Sequence, residues 1–310
     1  MIGRDVGATA GTPRRAVALT YGAGVLLVPH MAVLSGRYRR NSRDAIAECF
    51  DAGVARIELD VHSLDGGDYI VFHDRRLEAE TTGSGGLGAA TPDVIRGLRW
   101  RDDPGGRPPL LSEVVAMASA CDTELQLDWK DVRLVSDDRV RTLLDLIAPV
   151  RDRVVVSTGQ DWNLRRLHRA GPEQAFGFDP GLYLDRAIEE TDIALPRRMG
   201  AYGYRDDHPL ALARGQSVAD YLEARFEMLA LQAPGAREFF LSYRLVLQML
   251  GDGFDAVAWL HAHDIAANVW TLDVGAPAST GAMRGLALAG ADRVATNTAP
   301  RWIEAFAAAR

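Results

Sequence analysis

Ile57-Glu58-Leu59-Asp60-Val61-His62 alternates apolar and polar residues with a period of two. On a β-strand successive side chains leave opposite faces, so Ile57, Leu59 and Val61 share one side and Glu58, Asp60 and His62 share the other. In a barrel of parallel strands the apolar set packs against surrounding helices. The polar set then points inward near the C-terminal strand end, where barrel enzymes place their chemistry. Two carboxylates on one face of a buried strand repel, and each raises the other's pKa unless a cation sits between them. A divalent metal answers that requirement; carboxylates paired with Arg or Lys are the alternative. Oxygen donors favour Mg²⁺ or Ca²⁺ over zinc.

Outward from this stretch, strand-like segments alternate with helical ones through most of the chain, the pattern of parallel βαβ units. The segments are Val25–Pro29, Ala55–Val61, Glu124–Trp129, Arg153–Ser157, Ala175–Phe178, Glu238–Leu241, Ala267–Leu272 and Arg293–Thr296. Eight is the number that closes a TIM-type (β/α)₈ barrel, and 310 residues suit one such domain with insertions. Asn41 or Ser42 is expected to cap a helix ending before Gly53, Ser112 to begin another, and Thr91-Pro92-Asp93 a third. Two stretches exceed a minimal barrel. One is the Gly-rich loop Thr82–Gly88; the other is an insertion over residues 181–237, between the fifth and sixth barrel strands, with a helix over Val218–Leu231. Such insertions sit around the mouth of a barrel, where they shape substrate choice or an oligomer contact.

A second strand repeats the logic of the first. In Leu125-Gln126-Leu127-Asp128-Trp129-Lys130, the residues Gln126, Asp128 and Lys130 share a face, offering a third carboxylate and a cation. Lys130 is then either a ligand for a phosphate oxygen or a structural counter-ion. His30 follows one strand and His73 lies just after Val71-Phe72. Imidazoles suit acid and base work near neutral pH, and cleaving a phosphodiester needs one group to accept a proton and one to donate.

The ordered set His30, Glu58-Leu59-Asp60, Phe72-His73-Asp74 and Asp128-x-Lys130 resembles the signature of the glycerophosphodiester phosphodiesterases. Val269-Trp270-Thr271-Leu272-Asp273 and Gly290-Ala291-Asp292-Arg293-Val294-Ala295-Thr296-Asn297 resemble that family's last two strands. The resemblance spans residues 25 to 300 outside the insertion. It implies one divalent ion, Mg²⁺ or Ca²⁺, on Glu58, Asp60 and Asp128, with His30 and His73 as acid and base. It also implies Lys130 at the phosphate and Trp270 lining the pocket, the alternative for Trp270 being a core aromatic. His62 is a further candidate substrate contact by strand parity. The family follows its first histidine with Arg-Gly, whereas this chain has Met31 and Ala32, and its Glu-Asn-Thr becomes Arg40-Asn41-Ser42. Arg40 is therefore expected to restore the missing phosphate-binding charge from another direction. The His-Met pair and Asp-x-Lys also resemble the sphingomyelinase D branch, which implies an alternative: a phospholipase D-like enzyme forming a cyclic phosphate from a lysolipid head group. A non-catalytic metal-binding barrel is the second alternative.

The expected partner is a small phosphodiester. A formal net charge of −7 argues against nucleic acid, which demands a basic face, and membrane contact is not indicated. Cys49 and Cys121, the chain's two cysteines, read as buried free thiols. Arg14-Arg15 and the apolar run Ala16–Val28 imitate a secretory signal. However, the run leads directly into His30, is broken by Tyr21, Gly22 and Gly24, and is too short to span a membrane. The expectation is a cytoplasmic protein with a flexible leader over residues 1–20.

Overall fold

A computed structural model describes residues 18–22, 24–184 and 217–308. Residues 1–17 of the expected leader lie outside the described residues, as do Pro196, Arg197, Arg198, Asp206, Asp207 and His208 of the expected insertion. The strands are β1 Thr20–Tyr21, β2 Val25–Pro29, β3 Arg56–Ser63, β4 Tyr69–Val71, β5 Glu124–Trp129, β6 Val154–Thr158, β7 Phe176–Phe178, β8 Glu238–Ser242, β9 Ala266–Trp270 and β10 Arg293–Thr296. They form one sheet in the order β1-β2-β10-β9-β8-β7-β6-β5-β3-β4. From β2 round to β3 every pairing is parallel, and β2 and β3 themselves lie side by side across the remaining seam. Helices alternate with these eight strands. This is the (β/α)₈ arrangement the sequence alternation implies, and each expected strand falls within two residues of an observed one.

Two strands were not expected. β1 pairs antiparallel with β2, and β4 pairs antiparallel with the end of β3 through Val61↔Val71, His62↔Ile70 and Ser63↔Tyr69. The β3–β4 turn depends on Gly66 and Gly67, both at φ near +90°, a conformation side chains resist. This hairpin lengthens β3 to Ser63 and delivers His73 to the barrel mouth. Beyond it, Leu64, Ile70, Phe72, Leu77, Ile95 and Trp100 form a small core of their own, with Phe72 stacked on Trp100 at 5.7 Å between ring centroids. The Gly-rich loop after His73 contributes buried Leu87 to this small core.

Helix boundaries follow local chemistry. Ser42 caps Arg43–Asp51, its side chain accepting from Ala45 N at 3.1 Å, while Thr91 and Pro92 begin Pro92–Gly97 as expected. Ser112 does not cap. The helix Leu111–Ala118 starts one residue earlier, where the Glu113 carboxylate accepts from Leu110 N at 3.0 Å, and the Ser112 hydroxyl donates to Asp68 Oδ2 at 2.6 Å. The expected helix in the insertion is present as Val218–Gln232, capped by Ser217.

The main core lies between the outward strand faces and the helices, where Ile57, Leu59, Val61, Leu125, Leu127 and Trp129 are all buried. Inside the barrel, towards the N-terminal strand ends, buried Arg56 makes two bonds to Glu238, at 3.1 and 2.8 Å, and Glu238 also accepts from Asn268 Nδ2 at 3.0 Å. Both thiols are free; Cys49 is buried and donates to Ala32 O at 3.3 Å, whereas Cys121 is half-buried. Burial raises the Cys49 thiol to about 12, so it stays protonated.

Candidate active site

Strand parity and register bring the acidic residues together. β3 and β5 pair with Glu58 opposite Gln126 and Asp60 opposite Asp128, so the inward positions of both strands meet at one level. One oxygen each of Glu58, Asp60 and Asp128 lies within 4.8 Å of the others. Lys130, one inward position further along, extends its ammonium into this group, 2.5 Å from Asp128 Oδ2 and 3.1 Å from Asp60 Oδ1.

A single cation does not neutralise three carboxylates, and the protonation of the cluster shows it. Burial, reinforced by the charges of Asp60 and Asp128, drives Glu58 well above the ordinary carboxylate range. Burial acts on Asp60 in the same direction, but Lys130, His73 and a hydrogen bond from Asn41 outweigh it and hold that group low. Burial would lower Lys130; the three carboxylates overcome it and raise the ammonium well above its usual value. Among the described residues, Glu58 Oε1 and Asn41 Oδ1 are buried without a hydrogen-bond partner, and Asp60 Oδ1 has the Lys130 ammonium beside it. Unsatisfied buried oxygens of this kind need an explanation, and a hard divalent cation supplies one. The donor set fits such an ion.

Asn41 is the residue the sequence reading used only as a possible helix cap. Its backbone is left-handed at φ 55°, its N–H donates to Met31 O at 2.8 Å and its Nδ2 donates to Asp60 Oδ2 at 2.7 Å. The helix cap is the neighbouring Ser42. The signal that could have found Asn41 was its position in Arg40-Asn41-Ser42, where the related family has Glu-Asn-Thr.

His30 begins a tight turn at the end of β2 in which Met31 and Ala32 are both left-handed, at φ 51° and 57°. Few non-glycine residues adopt this backbone, and it is held here because Met31 N donates to Glu58 Oε2 at 2.7 Å. The ring is oriented from behind. His30 Nδ1 lies 3.0 Å from Asn297 Oδ1, while Asn297 Nδ2 donates to Asp273 Oδ2 at 2.9 Å. Asp273 also accepts from Asn297 N at 2.6 Å and from the Thr296 hydroxyl at 2.9 Å. Because the Asn297 amide nitrogen is committed to Asp273, its oxygen faces His30. The neutral ring therefore carries its proton on Nδ1, leaving a lone pair on Nε2, which lies 3.8 Å from Glu58 Oε2. Burial lowers the pKa of His30, against the opposing hydrogen bond to the Asn297 oxygen, and favours this neutral form.

His73 follows β4, with its side chain partly exposed and Nδ1 3.8 Å from Asp74 Oδ1. His62, expected as a substrate contact, is placed elsewhere: it is buried behind His73, and its Nε2 lies 3.1 Å from the His73 main-chain oxygen. Burial lowers its pKa, so the neutral ring acts as a donor that steadies the His73 loop.

His30, Glu58, His73, Asp128, Lys130 and Trp270 line a common pocket of about 260 Å³. Trp270 lines this pocket, is half-buried, and its buried indole N–H has no partner among the described residues. Arg40 does not enter this pocket. It lies in a separate groove with its guanidinium half exposed and 2.8 Å from Glu80 Oε1, which also pairs with Arg39. Committed to Glu80 in that groove, Arg40 does not line the pocket where it was expected to replace the missing phosphate arginine. Of the remaining histidines among the described residues, His261 and His263 are exposed, whereas His168 is half-buried against Phe176, 5.3 Å between ring centroids.

A parallel barrel with three carboxylates, an ammonium and two imidazoles at its C-terminal mouth brings together groups able to hold a cation and to move protons. A family model described as the glycerophosphoryl diester phosphodiesterase family matches residues 34–201, more than half of the chain, and the chain belongs to that family. It is 26% identical over 169 residues to a glycerophosphodiester phosphodiesterase of Caldanaerobacter subterraneus subsp. tengcongensis, covering 52% of this chain and 68% of that protein. It is 25% identical over 166 residues to YqiK of Bacillus subtilis (strain 168), covering 51% of this chain and 64% of that protein, just under two thirds of its length. Among solved structures, an Oleispira antarctica phosphodiesterase in complex with the product sn-glycerol-3-phosphate superimposes with a TM-score of 0.62 at 15% identity, covering 93% of this chain and 98% of that one. At that identity the likeness concerns the fold.

Proposed function

We propose that the chain hydrolyses a glycerophosphodiester to an alcohol and a phosphomonoester. The observation that carries this reading is the convergence of Glu58, Asp60 and Asp128, two of which, Glu58 and Asp128, line the same pocket as His30 and His73. Family membership and the product held by the Oleispira antarctica relative support glycerol phosphate as the retained part.

In this reading Glu58, Asp60 and Asp128 hold one divalent ion, Mg²⁺ or Ca²⁺, with the Asn41 side-chain oxygen available as a further neutral donor. When bound, that ion supplies Lewis-acid stabilisation of charge on the phosphoryl oxygens. His30, neutral and protonated on Nδ1, accepts through Nε2 the proton of the attacking hydroxyl, either water or a neighbouring hydroxyl of the substrate. His73, which lines the same pocket and is more exposed than His30, donates a proton to the departing alcohol oxygen. Lys130 brings positive charge to the edge of the cluster where the phosphate lies, a function the family's absent arginine would share. Trp270 and Phe240 form an apolar wall against the carbon skeleton of the glycerol.

The test is release of sn-glycerol-3-phosphate from glycerophosphocholine and glycerophosphoethanolamine with Mg²⁺, Ca²⁺ or Mn²⁺. His30→Ala and His73→Ala are each expected to lower kcat by about 10²–10⁴ with unchanged circular dichroism. Lysophosphatidylcholine turned over far better than glycerophosphocholine would favour the cyclising, lipid-directed alternative. No hydrolysis with any of the metals would leave the non-catalytic metal-binding barrel.

A further inference from the structure

Beside the catalytic pocket, and sharing Lys130 with it, runs a second groove of about 910 Å³. Its floor includes His62, and its walls come from the loop after His73 and the loop after β5. Among the described residues that line it, Arg75, Arg76, Arg133, Arg139 and Lys130 stand against Asp131; just outside the lining, Arg76 pairs with Glu78 at 2.5 Å, Arg139 lies 3.8 Å from Asp65 and Lys130 is held by Asp128, so the charge the groove offers is carried chiefly by Arg133. Asp131 is already engaged, its Oδ2 accepting from Ser63 N at 2.8 Å and from the Trp129 indole at 2.7 Å. The groove around Arg40 shows that such an imbalance is not general, because four arginines there meet five carboxylates, namely Asp44, Asp74, Glu80, Asp102 and Asp103. In a chain of net charge −7, a local concentration of guanidinium groups next to the reacting centre is a selective feature.

The groove is also built to hold its shape. Asn163, fully buried, clamps the loop after β5: its Nδ2 donates to Asp131 O at 2.9 Å and to Arg133 O at 3.0 Å, and its Oδ1 accepts from Val135 N at 3.1 Å. Arg139 joins the two walls, donating to Ser63 Oγ at 3.2 Å and to Gly88 O at 3.0 Å. Arg133 is thereby presented from a fixed backbone with an exposed side chain. A preordered guanidinium binds phosphate or carboxylate without first losing the conformational freedom of its loop.

Resting on the phosphodiesterase reading above, we propose that the alcohol leaving from the diester carries a second anionic group, a phosphate or carboxylate, which the Arg133-bearing groove binds. The glycerol arm lies against Trp270, the reacting phosphate lies over the acidic cluster, and the departing arm passes Lys130 and His73 into the groove.

The assay compares kcat/KM for three diesters of similar size: glycerophosphoglycerol bearing a terminal phosphate, glycerophosphoglycerol itself, and glycerophosphocholine. The wild type is expected to prefer the phosphorylated substrate by about tenfold or more at low ionic strength, with the margin shrinking in high salt, as one or two charge-assisted hydrogen bonds imply. Arg133→Glu is expected to erase most of that margin through KM while leaving glycerophosphoglycerol turnover within about twofold, because Arg133 touches no reacting group. The corresponding lysolipid in vesicles, turned over faster than the soluble substrate with the same charge preference, would support the site and identify a lipid head group as the source of the anion. Equal kcat/KM for the three diesters, or an Arg133→Glu effect equal on all of them, would overturn the proposal while leaving the phosphodiesterase reading intact. Failure to hydrolyse any of them would remove both.

Discussion

Lys130→Met offers a quantitative probe of the acidic cluster. The Lys130 ammonium is bonded to Asp128 Oδ2 at 2.5 Å and lies 3.1 Å from Asp60 Oδ1, which are oxygens a divalent ion would need. Cation binding therefore requires the ammonium to give up or share these contacts. Hydrogen bonds to charged groups contribute about 1.5–3 kcal/mol net, and each 1.4 kcal/mol is a factor of ten in a binding constant. Replacing the ammonium by an apolar side chain of similar length should tighten divalent-metal binding by roughly 10- to 100-fold while abolishing most turnover. Calorimetric titration of Mg²⁺ or Mn²⁺ into metal-free wild type and variant measures the first effect directly. The metal-free variant should also melt at a lower temperature than wild type, since three carboxylates then face one another without a cation. Saturating metal should restore most of the loss. Unchanged or weaker metal binding in a variant with normal circular dichroism would show that ammonium and metal do not share these carboxylates, and the proposed ligand set would be wrong.

Asn297→Leu should lower kcat by roughly 10- to 100-fold with little change in KM, because it removes the acceptor that keeps the His30 proton on Nδ1; Asn297→Asp, which keeps an acceptor there, should retain much more activity. Glu238→Ala should destabilise the fold by up to about 3–5 kcal/mol in urea unfolding, since it removes both hydrogen bonds of the buried Arg56 guanidinium to Glu238 and leaves it only the longer 3.6 Å contact with Glu124. Cys49, with its thiol raised to about 12, should resist iodoacetamide in the folded protein at pH 8 and react once unfolded, whereas labelling at native rates comparable to a free thiol would contradict its burial.

Strand parity was enough to place Glu58, Asp60, Asp128 and Lys130 on inward faces, because a strand's side-chain period is fixed by its backbone and does not depend on the partner. The same rule made His62 inward, which is correct, yet it could not show that the β4 hairpin folds over the end of β3 and covers that ring with the His73 loop. Trp270 was legible as a wall residue only through the family resemblance of Val269-Trp270-Thr271, since an aromatic on a strand reads equally well as core. Arg40 was not, since its direction depends on a left-handed turn at Asn41 that no periodicity reveals.

The sequence by itself determined the eight-stranded barrel, the register-independent sidedness of its strands and the residue types able to hold a cation and move protons, because these follow from local periodicity and side-chain chemistry. Only the tertiary structure decided that Asn41 joins the acidic cluster, that Asp273 and Asn297 set the tautomer of His30 from 243 and 267 positions away, and that Arg133 and Arg139 face a common groove. Each of these is a contact between loops distant in the chain, and their meeting is set by the curvature of the closed sheet, a property of all the strands together.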